Sequence, residues 1–330
     1  MPKTKKIEAY EIPSKKNVPS DNLLDYFTLV FGEKGVGKSS LFSEVPNNLT
    51  LMTEPGRRNL PIRMVEVAPR SIVDLWQRDE ASEEERGTGE TPWLRVQALI
   101  SNLISGDYEG EKVKHLTIDT IDRFYQLALT HHAYRNNVLD LGQLNDYGSS
   151  WRQLKDDFED TVNSIKFSGL GISVISHAQI RESSEFSFMD SGSPDSTVTT
   201  LAPTCSPACW RYLRAACDFS FYYGKRGHNR VLHVRTPGEI YGSNGVDTHF
   251  LDPDEKPVHA IMLGDRTPAQ AYATLQASWG NKVYDWDKHP TNGDGEKVQP
   301  IWERQPIKNS KKGVTKKRKK KSSTKAKNGM

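Results

Sequence analysis

The stretch FGEKGVGKSSLF, residues 31–42, comes directly after the apolar run YFTLV and fits the pattern G-x-x-x-x-G-K-[ST]. In such a loop several backbone N–H groups point at one anion, the lysine adds a positive charge and the hydroxyl binds Mg²⁺. An apolar strand precedes this loop and a helix is predicted after it, as the motif requires. The stretch therefore predicts a site for ATP and Mg²⁺, and the expected nucleotide-binding residues are Gly32, Glu33, Lys34, Gly35, Val36, Gly37, Lys38, Ser39 and Ser40.

The rest of the chain alternates short apolar runs with segments of helical periodicity. Further strands are predicted within NLTLMTEPG, VKHLTIDT and GISVISHAQ. This alternation is typical of an α/β fold with a mostly parallel sheet covered by helices on both faces. Towards the C-terminus, CDFSFYYGKRGHNRVLHVRTP predicts a hairpin turning at residues 224–229, and TPAQAYATLQASW predicts a last helix. Residues 181–208 are rich in Ser, Thr and Pro, so we expect a long mobile loop there.

One acidic residue closes the predicted strand HLTID. Asp119 occupies the place where a nucleotide-binding sheet presents the carboxylate that orients Mg²⁺, so Ser39 and Asp119 are the predicted magnesium residues. Asp122 is a competitor, but its place in the first turn of the next helix better suits interaction with the helix dipole. Thr120 can cap that helix.

Polar residues also follow two other predicted strands. Glu54 can orient a water for attack on the γ-phosphorus, although many strands end in an acid simply to begin a turn. His177, beside Ser176, can touch the γ-phosphate and pass its presence to the following loop; the alternative is a strand-end residue satisfied by a neighbouring turn. Lys38, Glu54 and His177 are therefore the predicted catalytic residues.

Two pairs of cations are candidates for action on a neighbouring subunit. Lys225 and Arg226 lie at the predicted hairpin tip, where they can stabilise charge on a transferring phosphoryl group if subunits form a ring or filament. An ordinary solvated turn is the equal alternative. Arg211 and Arg214, on one face of a short predicted helix, are lesser candidates.

The charge of the chain is unevenly distributed. The net charge is +3, yet residues 308–330 carry 11 Lys and Arg and no acid, which leaves 34 basic against 42 acidic residues elsewhere. Such a segment cannot bury enough apolar surface to fold, so we expect a disordered basic arm that contacts nucleic acid or serves solubility or localisation. The predicted organisation is a lead-in (1–20), an ATPase domain (21–285), a linker (286–307) and this tail (308–330).

Cysteine usage and hydropathy limit the class of protein. There are three cysteines, Cys205, Cys209 and Cys217; they lack the paired spacing of a zinc site, and an odd number suits a reducing compartment. No apolar stretch approaches the roughly 18 residues of a membrane helix, so we expect a cytosolic protein without membrane contact. The aromatics Trp151, Phe158 and Phe167 are expected to be a core stripe rather than a platform for bases.

In their order along the chain, VFGEKGVGKSSLF, LTLMTEPG, HLTIDTIDRFYQL, YGSSWRQLKDDFEDTV and GISVISHAQ resemble the phage-associated RecA-like ATPases, single-domain proteins linked to single-strand DNA annealing and recombination. The resemblance spans roughly residues 10–280. It implies a RecA-like, AAA-type nucleotide-binding fold, Glu54 as catalytic glutamate, Asp119 for magnesium, and His177 as the sensor. It also implies that the loop at 181–208 faces single-stranded DNA.

This chain departs from the family pattern at two places. Thr53 stands where related strands often carry an aspartate, and the loop at 181–208 has one arginine, Arg181, against several acids: Glu182, Glu185, Asp190 and Asp195. The basic tail would then supply the attraction for DNA.

Three functions satisfy the loop motif. We expect an ATPase that acts on single-stranded DNA, with subunits assembled head to tail. A nucleotide or small-molecule kinase is the first alternative, since GEKGVGKS also fits G-x-x-G-x-G-K-S, but the arginine-poor stretch at 181–208 does not resemble a kinase lid. A non-catalytic nucleotide switch tethered by its tail is the second.

Overall fold

The computed structural model describes residues 20–55, 60–78, 89–183, 198–235, 249–252, 254–264 and 267–280. They form one nine-stranded sheet with helices on both faces. The strands are β1 (Phe27–Gly32), β2 (Asn48–Met52), β3 (Met64–Glu66), β4 (His115–Asp119), β5 (Gly171–Ser183), β6 (Val198–Pro203), β7 (Phe219–Arg226), β8 (Asn229–His233) and β9 (Ala260–Gly264). The helices are α1 (Lys38–Phe42), α2 (Ile72–Arg78), α3 (Pro92–Ser105), α4 (Ile121–Arg135), α5 (Ser149–Phe167), α6 (Pro207–Ala216) and α7 (Pro268–Trp279).

The strand order brings the predicted site residues to one edge. The sheet reads β3-β2-β4-β5-β1-β7-β8-β9, with β6 pairing β5 beside this path. The strands from β3 to β7 in this order are all parallel to one another. β8 runs antiparallel to both of its neighbours, β7 and β9. The carboxyl ends of β1, β2 and β4 therefore lie side by side with the middle of β5, where His177 is opposite Gly32. The predicted RecA-like α/β P-loop fold is confirmed.

Each face of the sheet has its own hydrophobic core. On one face α3, α4 and α5 pack their aromatics together, and the Trp93 and Phe124 rings lie 5.1 Å apart. On the other face α1 and α7 cover β1 and β7, where Phe219 and Trp279 lie 5.2 Å apart. Every residue of β1 and of β4 is buried. The sequence of β1 is mostly apolar, whereas the buried polar residues of β4 are hydrogen-bonded: His115, Thr117 and Asp119.

Residues 181–208 differ from the predicted loop. β5 continues to Ser183, beyond the central sheet, and β6 pairs with this extension in antiparallel register, from Ala178 opposite Pro203 to Ser183 opposite Val198. α6 then begins at Pro207, capped by the Ser206 hydroxyl. The prediction failed because the Thr and Pro content of β6 hides its pairing, which depends on the partner strand. Residues 184–197 lie outside the described residues.

The aromatic stripe predicted on α5 is wrong for two of its three members. Phe158 is buried in the core, whereas Trp151 is 42% exposed and Phe167 is 84% exposed. At about 100° per residue, a spacing of 16 residues places Phe167 roughly 160° around the helix from Trp151. Phe167 therefore cannot share a face with the other two, and Trp151 lies in the first turn of the helix.

Besides β6, two strands were not predicted, β3 and β9. β3 has three residues, and both strands lie at the outer edges of the sheet. The predicted lead-in, linker and basic tail fall on residues outside those described, apart from Ser20. Among the described helices, none is both long and apolar enough to cross a membrane.

Candidate active site

The loop between β1 and α1 depends on glycine at two positions. A Cβ at Gly32 would lie 1.9 Å from the carbonyl oxygen of Tyr223 on β7, so no larger residue fits between these strands. Gly37 has φ 101°, a backbone conformation that other residues rarely adopt. The motif glycines therefore do what the sequence predicts: they let the chain turn sharply at the end of a buried strand.

Lys38 and Ser39, the first residues of α1, are both buried. The Lys38 ammonium donates to the carbonyl oxygens of Gly32 at 2.8 Å and Glu33 at 2.9 Å, so its charge is held at the mouth of the loop. The Ser39 hydroxyl donates to a carboxylate oxygen of Asp119, the last residue of β4. The predicted magnesium residues are thus in direct contact.

Glu54 lies two residues beyond the end of β2 and is held by two side chains. The His177 Nε2 lies 3.1 Å from Glu54 Oε1 and 3.3 Å from Oε2. The Thr120 hydroxyl donates to Glu54 Oε1 at 3.1 Å. Asp119, Glu54 and His177, which were predicted to act together, therefore meet at one edge of the sheet. The predicted strand-end position of His177 is wrong, because β5 continues to Ser183; His177 lies where β5 leaves the central sheet, opposite Gly32.

A second polar group adjoins His177. The Asp122 carboxylate accepts hydrogen bonds from the Thr204 hydroxyl at 2.8 Å and from the Ser176 hydroxyl at 3.1 Å. Burial raises the pKa of Asp122, and these two hydrogen bonds oppose that rise. Asp122 does lie in the first turn of α4, as predicted, but its carboxylate also links the middle of β5, at Ser176, to Thr204 after β6.

A family model for the AAA domain matches residues 25–199. The chain belongs to the AAA domain family. The matched range begins just before β1 and includes the loop at 32–39 together with Glu54, Asp119 and His177. A search of curated proteins returned no match. The prediction of a P-loop ATPase domain that binds nucleotide is confirmed at the level of this family.

An open cleft of about 1050 Å³ adjoins Glu54 in the AAA domain; the lining side chains include Lys34, Glu66, Arg123 and His177. A water molecule needs only about 30 Å³. Solvent can therefore reach the Glu54 carboxylate from the side opposite the protein core.

The two pairs of cations predicted to act on a neighbouring subunit lie on different elements of the AAA domain protein. Lys225 and Arg226 are exposed at the end of β7, beyond its last pair with β1. Arg211 and Arg214 are exposed on α6. Their action on a neighbouring subunit stays a prediction.

The sequence did not predict the contacts of Thr53 and Thr120 at the nucleotide site of the AAA domain, and it did not identify Arg230 as a residue of this site. Thr53 hydrogen-bonds Thr120, and Thr120 contacts Glu54. On β8, the Arg230 side chain reaches the P-loop, with Nε 3.5 Å from the position that a Cβ on Gly37 would take. A signal for Arg230 exists in the hairpin register: it pairs with Lys225, close to the turn.

The three cysteines are buried near α6 and are not disulfide-bonded. Burial raises the pKa of Cys209 and of Cys217 well above the ordinary thiol value. These two side chains are therefore held as neutral thiols that fill the core, and thiols of this kind are poor metal ligands.

Proposed function

We propose that this AAA domain protein hydrolyses ATP with Mg²⁺ and uses the reaction on single-stranded DNA, in recombination, annealing or replication of the phage type. The observation that carries the proposal is the geometry around Glu54. A carboxylate clasped by His177 and Thr120 stands beside the Ser39–Asp119 pair and faces an open cleft. A general base, a metal-binding pair and access for water are thus brought together.

The residues present fit a magnesium nucleotide. Mg²⁺ prefers hard oxygen ligands, and the Ser39 hydroxyl and Asp119 carboxylate offer two such oxygens in contact with each other. These two residues would hold the ion, which supplies charge neutralisation to phosphate oxygens. Lys38 would move its ammonium from the loop carbonyls of Gly32 and Glu33 to phosphate oxygens, because a charged acceptor gives the stronger hydrogen bond.

In this proposal Glu54 orients a water and takes its proton. A carboxylate at the site entrance can accept a proton from a water that occupies the adjoining cleft. His177, in contact with both Glu54 oxygens, keeps the carboxylate from rotating away. The loop amides and Lys38 stabilise charge on the phosphoryl group while it transfers.

Support for a DNA partner comes from the sequence. The 11 basic residues of the tail at 308–330 give the strong positive charge that a phosphate backbone attracts, and the family resemblance implies single-stranded DNA. Assembly into a ring or filament is part of the same proposal, with the exposed Lys225 and Arg226 as the cations offered to a neighbour.

An ATPase assay with and without single-stranded DNA tests the catalytic proposal. We expect Glu54→Gln to keep ATP affinity and to lose on the order of 10² to 10⁴-fold in turnover, the range of general-base contributions. Glu66→Gln, which changes another carboxylate lining the same cleft, is the matched control and should hydrolyse at the wild-type rate. Equal turnover in Glu54→Gln would remove Glu54 from the mechanism.

The same assay separates the rival functions. Stimulation of hydrolysis by single-stranded DNA supports the proposal. Phosphate transfer to a small acceptor without dependence on DNA indicates a kinase, and tight ATP binding without turnover indicates a switch.

A salt titration tests the tail. The full chain and a chain ending at Pro306 should differ in the slope of log affinity against log salt, because each neutralised phosphate contributes roughly 0.7 to that slope on single strands. Equal slopes would exclude the tail from DNA binding.

A further inference from the structure

Thr120 stands at the N-cap position of α4, yet its side chain does not cap the helix. A threonine at an N-cap ordinarily accepts a hydrogen bond from a backbone N–H of the first turn. Here the hydroxyl donates to Glu54 Oε1 at 3.1 Å instead. The side chain is therefore directed away from the helix and towards the candidate base.

Thr53 fixes the backbone of Thr120 from the neighbouring strand end. The Thr53 hydroxyl donates to the Thr120 carbonyl at 2.9 Å and accepts from the Thr120 N–H at 2.9 Å. The Thr53 N–H donates to the Asp119 carbonyl, also at 2.9 Å. Both threonines are at most 1% exposed. We name Thr53 and Thr120 the threonine clamp; it joins the end of β2 to the end of β4.

Glu54 needs such support because it lies outside the paired part of β2, which ends at Met52. A glutamate side chain has several rotatable bonds, so fixing it in one orientation is opposed by conformational entropy. Two anchors oppose this freedom: His177 on β5 and the clamp between β2 and β4.

We propose that Thr120 is a positioning residue for the hydrolytic reaction: its hydroxyl, oriented by Thr53, holds the Glu54 carboxylate beside the Ser39–Asp119 pair. The inference rests on the proposed function, because it assigns Thr120 no role apart from Glu54. Thr120 acts through Glu54, and ATP affinity does not depend on it.

Thr120→Val tests the inference with little change in shape. The backbone bonds to Thr53 remain, and only the hydroxyl is lost. We expect kcat to fall on the order of 10 to 100-fold, the loss associated with a misplaced catalytic group, while ATP affinity stays within about twofold. Thr120→Ser, which keeps the hydroxyl, should restore most of the rate.

Thr117→Val is the matched control. Thr117 is a buried threonine of the same strand whose hydroxyl donates to Asn48 at 3.0 Å, and it should leave kcat unchanged. If Thr120→Val does not fold, Thr120→Ala and Thr120→Ser provide the same comparison. Wild-type kcat in a folded variant without the hydroxyl would overturn the inference.

A double-mutant cycle separates positioning from a general structural role. In the Glu54→Gln background, Thr120→Val should cause no further loss of turnover, since the group it positions is already disabled. Full additivity of the two losses would contradict the inference. Wild-type turnover in Glu54→Gln would overturn the proposed function itself, whereas a slow Glu54→Gln beside a fully active Thr120→Val would overturn the clamp alone.

Discussion

β4 has a buried polar group at each end, and the two groups differ in kind. At its start His115 lies 3.0 Å from the Ser173 hydroxyl, which lies 2.6 Å from the Thr28 hydroxyl. We call these three residues the interior cluster. At its end Asp119 belongs to the edge cluster, whose members are Ser39, Glu54, Asp119, Thr120 and His177.

The difference between the clusters lies in charge. Burial lowers the pKa of His115 to about 4, so the interior cluster is neutral at physiological pH, and each of its members is at most 3% exposed. The edge cluster gathers two carboxylates beside a cleft of about 1050 Å³. An open cleft of about 1060 Å³ also adjoins His115. Burial of polar side chains and a neighbouring cleft are thus common to both ends of β4, whereas the two carboxylates mark the edge cluster as a site for chemistry.

The largest expected effect separates the clusters completely. Lys38→Ala should lower ATP affinity or turnover on the order of 10³-fold and leave the fold intact, because it removes the charge at the loop mouth. Ser173→Ala, in the interior cluster, should instead cost about 1 to 2 kcal/mol of stability with unchanged ATP affinity. Calorimetric titration with ATP and urea unfolding measure the two quantities. Equal losses of affinity in both variants would break the distinction.

The next largest effect is a loss of folding stability at acid pH, caused by His115 of the interior cluster. An unfolded His115 binds a proton near its ordinary pKa of 6.5, whereas the folded one does so only near 4. The unfolded state therefore binds more protons between these values, and stability falls as pH drops from 6.5 towards 4. At about 1.4 kcal/mol for each pKa unit, His115 contributes at most about 3 kcal/mol of this loss.

Urea unfolding between pH 7 and pH 4 tests this expectation. His115→Asn, which does not titrate in the window, should flatten the curve. Part of the slope should persist, because burial also lowers the pKa of His131 to about 4. His228→Asn at the exposed hairpin turn is the control. An unchanged slope in His115→Asn would show that His115 does not carry the effect.

A smaller effect is expected within the edge cluster. His177→Ala removes one of the two side chains that hold Glu54, so turnover should fall about 10-fold while ATP affinity is retained. His177→Gln keeps a donor of similar reach and should recover part of the rate. A rate in His177→Ala equal to wild type would show that the contact with His177 is not needed to position Glu54.

The features predicted best from the sequence are those determined by residues close together in the chain. The glycines, Lys38 and Ser39 share one loop whose spacing encodes its shape, and Asp119 ends the short segment HLTID, which was correctly predicted as a strand. The threonine clamp was not predicted because Thr53 and Thr120 are 67 residues apart in the sequence and come into contact only when β2 and β4 pair. β6 escaped for the same reason, since its partner is the extension of β5.

The smallest expected effect comes from Asp122. This carboxylate lies near the edge cluster, but, like the members of the interior cluster, it is hydrogen-bonded to hydroxyl groups, those of Ser176 and Thr204. Burial raises its pKa, so the folded state keeps this proton to a higher pH than the unfolded state does. Stability is therefore lost as pH rises from the ordinary value of 3.8 through the raised one. Asp122→Asn retains an oxygen for the Thr204 and Ser176 hydroxyls, and its free energy of unfolding should exceed the wild-type value more at pH 7 than at pH 4. A variant that is instead less stable at pH 7 would show that the charge itself holds β5 at Ser176, and Asp122 would then belong with the edge cluster.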